Sequence, residues 1–345
     1  MFKHFKPWLY FPVQMSHKLG PLFLKIYSRF RPYQTLTWRP FVWNGIEFNN
    51  PLGTAGGLDK NADDIHSWWT MGPGFLEIGT ITPISQEPNP GEILARDNNT
   101  QALWNKMGFP NEGVDQAIQK LKSLYQPHFT PIFANIGKNR TTPNEKAQDD
   151  YITCVHKLTP YVDVFVVNIS SPNTSGLRDL LLPDNLKNFL APIVQANEEA
   201  SNSYNKDNDV EDKGPTPILL KVSPDVDTEQ LKSIIEISCE LGIDGWILTN
   251  TTLERKGVSF PSEGGVSGVP LAERSKEVLK QAVAILGERR KNKLLVSTGG
   301  VMTPEDVFER LEMGADLVQT YSALVFNGPF FFREVADKAN AFGLG

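Results

Sequence analysis

The sequence predicts a closed (β/α)8 barrel of the TIM type with a small N-terminal helical extension, and three observations carry that prediction. Eight short, mostly apolar runs recur after residue 40. Most of them are separated by stretches with helical periodicity, and the 40 residues ahead of them differ from the rest in charge and aromatic content. Runs that are apolar on both faces suit parallel strands covered on both sides. Eight such repeats in about 300 residues close a barrel better than they fill an open sheet.

The first 40 residues hold Lys3, Lys6, Lys18, Lys25, Arg29, Arg31 and Arg39 and no acid, a charge of +7. The remainder sets 27 basic against 40 acidic side chains, a charge of −13. Ten of the 35 aromatic residues also lie in this opening segment. Leu19, Leu22, Phe23, Ile26, Tyr27 and Phe30 fall at i, i+3, i+4, i+7, i+8 and i+11 and share one face of a helix. Phe2, Phe5, Trp8 and Leu9 form a shorter apolar face, broken by Pro7 and Pro12. A basic, aromatic, acid-free pair of this kind reads as an interfacial anchor on anionic lipid. Packing against the barrel is the alternative, and both hold if different faces serve them. Residues 1–39 are therefore set apart from a catalytic barrel of residues 40–345.

No run reaches the roughly 18 apolar residues of a membrane span, and no signal-peptide pattern opens the chain. The expectation is a monomeric peripheral protein on the cytoplasmic face of a bacterial inner membrane. With 34 Lys and Arg against 40 Asp and Glu, the whole is mildly acidic, which argues against nucleic acid as a partner. Cys154 and Cys239 make neither a disulfide framework nor a CxxC spacing, and both are expected in the core.

The strand runs are Pro51 to Ala55, Phe75 to Thr80, Pro131 to Ile136, Val162 to Ile169, Pro217 to Val222, Asp244 to Thr249, Lys293 to Thr298 and Asp316 to Tyr321. Helical patterns cover Asp63 to Met71, Val114 to Leu124, Asn144 to Leu158, Thr228 to Leu241, Ala272 to Leu286 and Pro304 to Met313. Residues 81–110 form a Pro-, Asn- and Gly-rich connection of the length that usually carries a lid or binding segment. Residues 197–214 are polar with little to bury and are expected to be a solvated excursion without chemistry.

In such a barrel the active site lies at the C-terminal ends of the strands. Those ends read Gly56-Gly57-Leu58-Asp59-Lys60, Thr80, 135–139, 168–173, Lys221, Thr249-Asn250-Thr251, Gly299-Gly300 and Tyr321-Ser322. Amides, hydroxyls and lysines converge there without His, Cys or a carboxylate cluster, so no metal ligand set is expected. Amides that donate and accept at once suit a planar ligand edged with carbonyl and NH groups, and lysines tolerate its negative charge. The Gly-Gly pair after the seventh strand sits where barrels commonly hold a phosphate on backbone NH groups.

The strings PLGTAGGLDK (51–60), EIGTITP (77–83), NKMGF (105–109), NIGKN (135–139), NISSPNTSGLR (168–178), LKVSPD (220–225), TNTTL (249–253), GGVSGVPL (264–271), STGGV (297–301) and LVQTYS (317–322) occur in this order. Together they resemble the dihydroorotate dehydrogenases, and the basic helical pair ahead of them resembles the extension that forms the quinone entrance in the membrane-bound class. The resemblance implies oxidation of dihydroorotate to orotate in pyrimidine biosynthesis: a proton leaves C5, a hydride passes from C6 to FMN, and a membrane quinone takes the electrons.

By that resemblance Ser171 is the base, where the soluble class has Cys; by its residue type alone it is a turn-forming Ser ahead of Pro172. A proton relay through water beside Thr174, with Phe109 shielding it, is also implied. Lys60, Asn105, Lys106, Met107, Gly108, Phe109, Asn168, Asn173, Asn250 and Thr251 match substrate-binding positions. Gly56, Gly57, Leu58, Asp59, Lys60, Thr80, Asn135, Asn168, Lys221, Thr249 and Gly268 match FMN contacts, with Gly300, Tyr321 and Ser322 around the phosphate. Lys221, on an apolar strand, needs a negative partner, which is expected to be the reduced flavin. Arg96 stands in GEILAR (91–96), which departs from the family's pattern on the quinone side. The competing readings are a soluble enzyme using fumarate or NAD, another FMN barrel oxidoreductase, and a membrane-docked flavin scaffold without turnover. Ser171 and the extension oppose the soluble enzyme, and intact Lys60, Ser171 and Lys221 oppose the scaffold.

Overall fold

In the computed structural model, which describes residues 6–33, 35–124, 128–208 and 214–344, eight parallel strands close into a barrel. They are β1 (Leu52–Asp59), β2 (Leu76–Ile81), β3 (Ile132–Ile136), β4 (Val164–Asn168), β5 (Ile218–Val222), β6 (Gly245–Leu248), β7 (Leu294–Thr298) and β8 (Leu317–Thr320). Neighbours in chain order pair, and β8 returns to β1 in the register Val318–Leu52, Gln319–Gly53 and Thr320–Thr54. Each of the eight predicted runs overlaps one of these strands, with β1 continuing past Ala55 to Asp59 and β2 past Thr80 to Ile81. The runs are apolar because inward side chains meet the barrel interior while outward ones meet helices, so Phe165, Val166 and Val167 of β4 are all fully buried.

A hairpin absent from the sequence expectations closes the bottom of the barrel. Its strands, Phe41–Trp43 and Ile46–Phe48, are joined by Asn44 and Gly45 at φ 47° and 75°, the left-handed pair that a two-residue hairpin turn demands. Phe48 presses edge-on against Phe75 and Phe133, each 6.2 Å away between ring centres, and so plugs the barrel from below.

The helices are α1 (Val13–Ser28), α2 (Ile65–Trp69), α3 (Val114–Leu121), α4 (Ala147–Leu158), α5 (Pro183–Asp207), α6 (Thr228–Glu240), α7 (Ala272–Leu286), α8 (Pro304–Glu312), α9 (Ser322–Asn327) and α10 (Phe331–Ala341). Reciprocal capping boxes start α6 at Asp227 and Gln230 and α8 at Thr303 and Asp306. α5 corrects the expectation of a solvated excursion, because its helix runs on through Asp207. Its polar sequence hides two buried anchors: Asn197 Nδ2 donates to Thr216 O (2.8 Å) and Ser201 Oγ accepts from Thr216 N–H (3.1 Å), tying the helix to the chain that enters β5. Residues 209–213 of that excursion lie outside the described residues.

The long connection 81–110 is ordered by small antiparallel sheets. Leu94–Asp97 and Gly265–Gly268 flank Ala102–Asn105, and Ile84–Gln86 pairs with Asn111–Gly113. Both sheets stand over the C-terminal end of the barrel, where they become walls of the site.

The single apolar face expected of α1 divides in two. Leu24 is buried in the main core and Tyr27 meets Phe330 edge-on at 5.3 Å, whereas Leu22, Phe23, Ile26 and, beyond the helix end, Phe30 stay exposed. At 100° per residue Leu24 and Tyr27 fall on one side of the helix and Leu22, Phe23 and Ile26 on another, with Lys18, Lys25 and Arg29 in a stripe beside the exposed apolar one. The preceding short helix Pro7–Tyr10 is pinned down by Trp8 Nε1 to Val325 O (2.7 Å) and Lys6 Nζ to Asn327 Oδ1 (2.8 Å). Phe2, Lys3 and Phe5 lie outside the described residues. No helix among the described residues is long and apolar enough to cross a membrane.

Candidate active site

The floor of the site is an ionic and amide cluster inside the barrel. Glu77 of β2 is fully buried, and its Oε1 accepts from Lys221 Nζ of β5 (2.8 Å) and from Asn135 Nδ2 of β3, while its Oε2 accepts from Gln319 of β8. The partner of Lys221 is therefore a protein carboxylate, which corrects the expectation that a flavin alone would balance it. Such a pair is tolerated away from water only when its members meet closely, and Asn135 and Gln319 complete the hydrogen bonds of the carboxylate. Gly56 of β1 lies against this cluster: a Cβ there would come 2.3 Å from Glu77 Oε1, so only glycine lets the strand pass.

Above the floor the strand ends form one chain of amides and hydroxyls. Thr80 Oγ1 donates to Asn135 Oδ1 (2.6 Å), and Asn168 Nδ2 donates to Thr80 Oγ1 and Asn135 Oδ1, both at 3.1 Å. Asn168 Oδ1 accepts from Ser170 Oγ (3.1 Å) and from Asn250 Nδ2 (3.3 Å), which also donates to Ser170 Oγ at 3.0 Å. Thr251 Oγ1 extends the chain to Asn250 Oδ1 (3.4 Å). Thr80, Asn135, Asn168, Asn250 and Thr251 are thus brought together from β2, β3, β4 and the turn after β6, with Thr249 beside them.

Ser171 follows β4 and is buried. Its Oγ accepts from Asn173 N–H (3.2 Å), which uses an oxygen lone pair and leaves the hydroxyl hydrogen free to point into the site. Asn173 Nδ2 donates to Asn105 Oδ1 (2.9 Å), while Asn173 Oδ1 is buried with no hydrogen-bond partner among the described residues. An orphaned acceptor of this kind calls for a donor from a bound molecule. The 105–109 turn closes over it: Gly108 and Phe109 take positive φ, 73° and 57°, and Gln86 Nε2 donates to Gly108 O (2.8 Å).

Not every expected site residue turns inward. Lys106 pairs with Glu263 on the rim, and its N–H donates to Ile93 O (2.8 Å), so neither group is offered to a ligand. Met107 gives its carbonyl to Asn89 N–H (2.9 Å). Asp59 turns away from the pocket to accept the N–H groups of Asp63 (2.8 Å) and Asp64 (2.9 Å), and burial raises its carboxyl to about 6 against those bonds. It braces the loop that carries Leu58 and Lys60. Lys60 itself faces His17 of α1, Nζ to Nε2 3.4 Å. Burial lowers the Lys60 ammonium to about 8, partly offset by Asp59, and burial together with the Lys60 charge lowers His17 to about 4.

At the far end, Gly299 and Gly300 after β7 take φ 105° and 70°, Gly268 takes 87°, and Ser322 Oγ reaches toward Ser267 Oγ (3.5 Å). Tyr321 packs with Leu9, Leu103 and Phe326, and burial pushes its phenol up to about 12. Arg96 holds the N-terminal segment through Leu9 O (2.8 Å) and Phe11 O (3.1 Å).

Sequence reasoning passed over Glu77, Gln319, Ser170 and Arg178. Arg178 staples three loops, with Nε on Ser170 O (2.9 Å), Nη2 on Thr251 O (3.1 Å) and Nη1 on Asp225 Oδ2 (2.7 Å). The available signal for Glu77 was a lone acid inside an apolar strand, matched by a lone lysine inside another. The donor set fits a planar, carbonyl-edged cofactor: amide and hydroxyl groups on four strand ends, a lysine at the floor, and glycine where the backbone must come close. Among the described residues no cluster of three or more His, Cys, Asp or Glu could hold a metal ion.

Comparison with known proteins agrees with this geometry. The family model for dihydroorotate dehydrogenase matches residues 42–342. A dihydroorotate dehydrogenase (quinone) from Marinomonas sp. is 37% identical over 338 residues, covering 95% of this chain and 94% of that one. The protein of the same description from Christiangramia forsetii is 41% identical over 304 residues, covering 87% and 84%. Among solved structures, DHODH from Eimeria tenella in complex with ferulenol superposes with a TM-score of 0.83 at 29% identity, covering 96% of this chain and 92% of that one. The ligand-free form gives 0.81 at the same identity, with 96% of each covered.

Proposed function

The chain belongs to the dihydroorotate dehydrogenase family, and from that premise we propose that it oxidises dihydroorotate to orotate and passes the electrons to a membrane quinone, as a step of pyrimidine biosynthesis. The observation that supports the reading is the Asn105–Asn173 clamp with its orphaned acceptor beside Ser171, at the strand ends of a barrel whose interior holds the Glu77–Lys221 pair. A flavin belongs to the family's chemistry, and FMN is the form this site suits, because the Gly299–Gly300 turn lies where a phosphate would be held on backbone N–H groups. Bound flavin supplies the acceptor for hydride.

The chain's own residues do the rest. Ser171 takes the proton from substrate C5 while C6 gives up hydride, and the C5–C6 single bond becomes double. A hydroxyl is a weak base near neutral pH, so its proton must leave by the free side that the Asn173 N–H bond does not occupy. Lys60 meets the substrate carboxylate, and Asn105, Asn173, Asn250 and Thr251 fix the ring through its carbonyl and NH groups. Asn168, Asn135 and Thr80, locked to one another, hold the cofactor edge in register with no reorganisation at the moment of reaction. Lys221 keeps positive charge beside the cofactor, moderated by Glu77.

Residues 1–39 serve the acceptor side. Exposed Leu22, Phe23, Ile26 and Phe30, flanked by Lys18, Lys25 and Arg29, have the form of a helix lying in a lipid interface, while Leu24 and Tyr27 dock on the barrel. Arg96, which holds the segment at Leu9, and His17 within it, which faces Lys60, then join the segment to the site. Turnover with dihydroorotate and each of three acceptors tests the reading: a short-chain quinone should outperform fumarate and NAD, and faster turnover with either of those would return the protein to the soluble class.

A further inference from the structure

Arg310 of α8 is 1% exposed. Its Nη1 donates to Ser297 Oγ (2.9 Å), and its Nη2 donates to Gly299 O (2.6 Å), Ser275 Oγ (2.9 Å) and Ala272 O (3.5 Å). All four acceptors are neutral, and its Nε has no partner among the described residues. Three carboxylates bear on it from a distance, and each is engaged elsewhere. Asp306 accepts the N–H groups of Met302 and Thr303, both at 2.8 Å, while Glu273 and Glu309 pair with Lys276. Burial draws the guanidinium down to about 10, which still leaves it charged at neutral pH. A buried cation without an ion-pair partner is strongly disfavoured unless an anion is brought near.

The place where an anion would answer it is one peptide away. Gly299 O receives two donors, Arg310 Nη2 and Ser275 Oγ, each at 2.6 Å. That carbonyl shares its peptide unit with the Gly300 N–H, which points to the opposite side, and donors on the oxygen strengthen the N–H as a donor. Gly300 is held at φ 70°, with space for a Cβ filled by Ala272 at 2.4 Å, so the turn cannot back away from Arg310. We propose that Arg310 is the buried counter-charge of the cofactor phosphate, a positioning residue that acts through the Gly299–Gly300 peptide and makes the site select a phosphate-bearing flavin over riboflavin. The inference rests on the FMN reading above, and its test separates the two.

The full-length chain, freed of flavin, is titrated with FMN and with riboflavin, following the quenching of flavin fluorescence. The wild type should bind FMN at least a hundredfold more tightly; equal affinities would overturn the phosphate site itself. In Arg310→Gln the FMN affinity should fall at least tenfold with riboflavin affinity unchanged, and Arg310→Lys, which keeps the charge, should recover most of the difference at pH 7. A parallel loss of both ligands, or of neither, would reduce Arg310 to a brace. Should Arg310→Gln fail to fold, Arg310→Lys decides by pH. The charged groups around this position are the carboxylates of Asp306, Glu309 and Glu273 and the Lys276 ammonium, and the alkylammonium that Arg310→Lys introduces gives up its charge on burial more readily than a guanidinium. In Arg310→Lys the ratio of FMN to riboflavin affinity should fall between pH 7 and 9.5 more steeply than in the wild type, and a variant ratio that tracks the wild-type ratio would overturn the proposal.

Discussion

Glu77→Gln removes the negative charge that faces Lys221 beneath the site while keeping the shape of the side chain. In the native fold Glu77 Oε1 serves Lys221 Nζ (2.8 Å) and Asn135 Nδ2, and Oε2 serves Gln319. The ion pair is buried, with side-chain exposures of 0% for Glu77 and 7% for Lys221, so solvent does not screen the loss. An amide in its place has one oxygen for these three donors and turns its own NH2 toward at least one of them. Breaking one half of a buried pair costs about 3–5 kcal/mol. With an unfolding entropy of roughly 2.1 cal/mol/K per residue, about 0.7 kcal/mol per degree over a chain of this length, the melting temperature should fall by about 4–7 °C. Calorimetry on the flavin-free full chain measures this without a contribution from cofactor binding. The double variant Glu77→Gln, Lys221→Met, which leaves no unpaired charge, should regain about half of the loss or more. A single variant that melts within about 1 °C of the wild type, or a double variant whose loss is the sum of the two single losses, would refute the pairing as the reason both residues are tolerated inside the barrel.

The remaining predictions concern turnover and the membrane. Ser171→Ala should slow flavin reduction by dihydroorotate at least a hundredfold, roughly, with substrate affinity largely kept, because the interaction is made in the transition state; stopped-flow absorbance shows it, and an unchanged rate would take Ser171 out of the base role. Lys60, brought down to about 8 by burial, is charged below that pH, so kcat/KM for dihydroorotate should decline as pH rises through 8, and Lys60→Met should abolish that limb of the profile. Stability runs the other way: the buried ammonium opposes folding below pH 8, and the penalty is relieved between 8 and 10.5. Phe23→Ser with Ile26→Ser should weaken sedimentation with anionic vesicles at least tenfold, about 1.4 kcal/mol or more of lost apolar burial, and leave flavin reduction by dihydroorotate untouched; undiminished vesicle binding would move the anchor elsewhere.

The barrel was legible because a strand buried on both faces leaves a nearly continuous apolar run, and most of the polar residues of the site lie at the strand ends. Long-range pairing was not legible. Glu77 and Lys221 are 144 positions apart and meet only because β2 and β5 face each other across the barrel, so each looked like an isolated anomaly. The same holds for Arg178, whose three partners come from loops after β4, β5 and β6. Polarity misled at 197–207: a helix with one docked edge and a wide solvent face has the composition of a loop, and Asn197 and Ser201 reveal their anchoring role only beside Thr216. On α1 the spacing identified a helix with an apolar stripe, yet Tyr27 went to the docked side with Leu24, a choice made by the barrel surface and not by periodicity. Lys106 and Asp59 show the limit of assigning roles by position in a motif, since each sits within a binding string while its side chain serves a neighbouring loop.

The most direct measurement is anaerobic mixing of the flavin-loaded protein with dihydroorotate, followed by addition of a short-chain quinone. Dehydrogenation at this site predicts that the visible flavin absorbance bleaches on substrate addition and returns in full when quinone is added. A spectrum that stays oxidised with saturating dihydroorotate would contradict the proposed reaction outright.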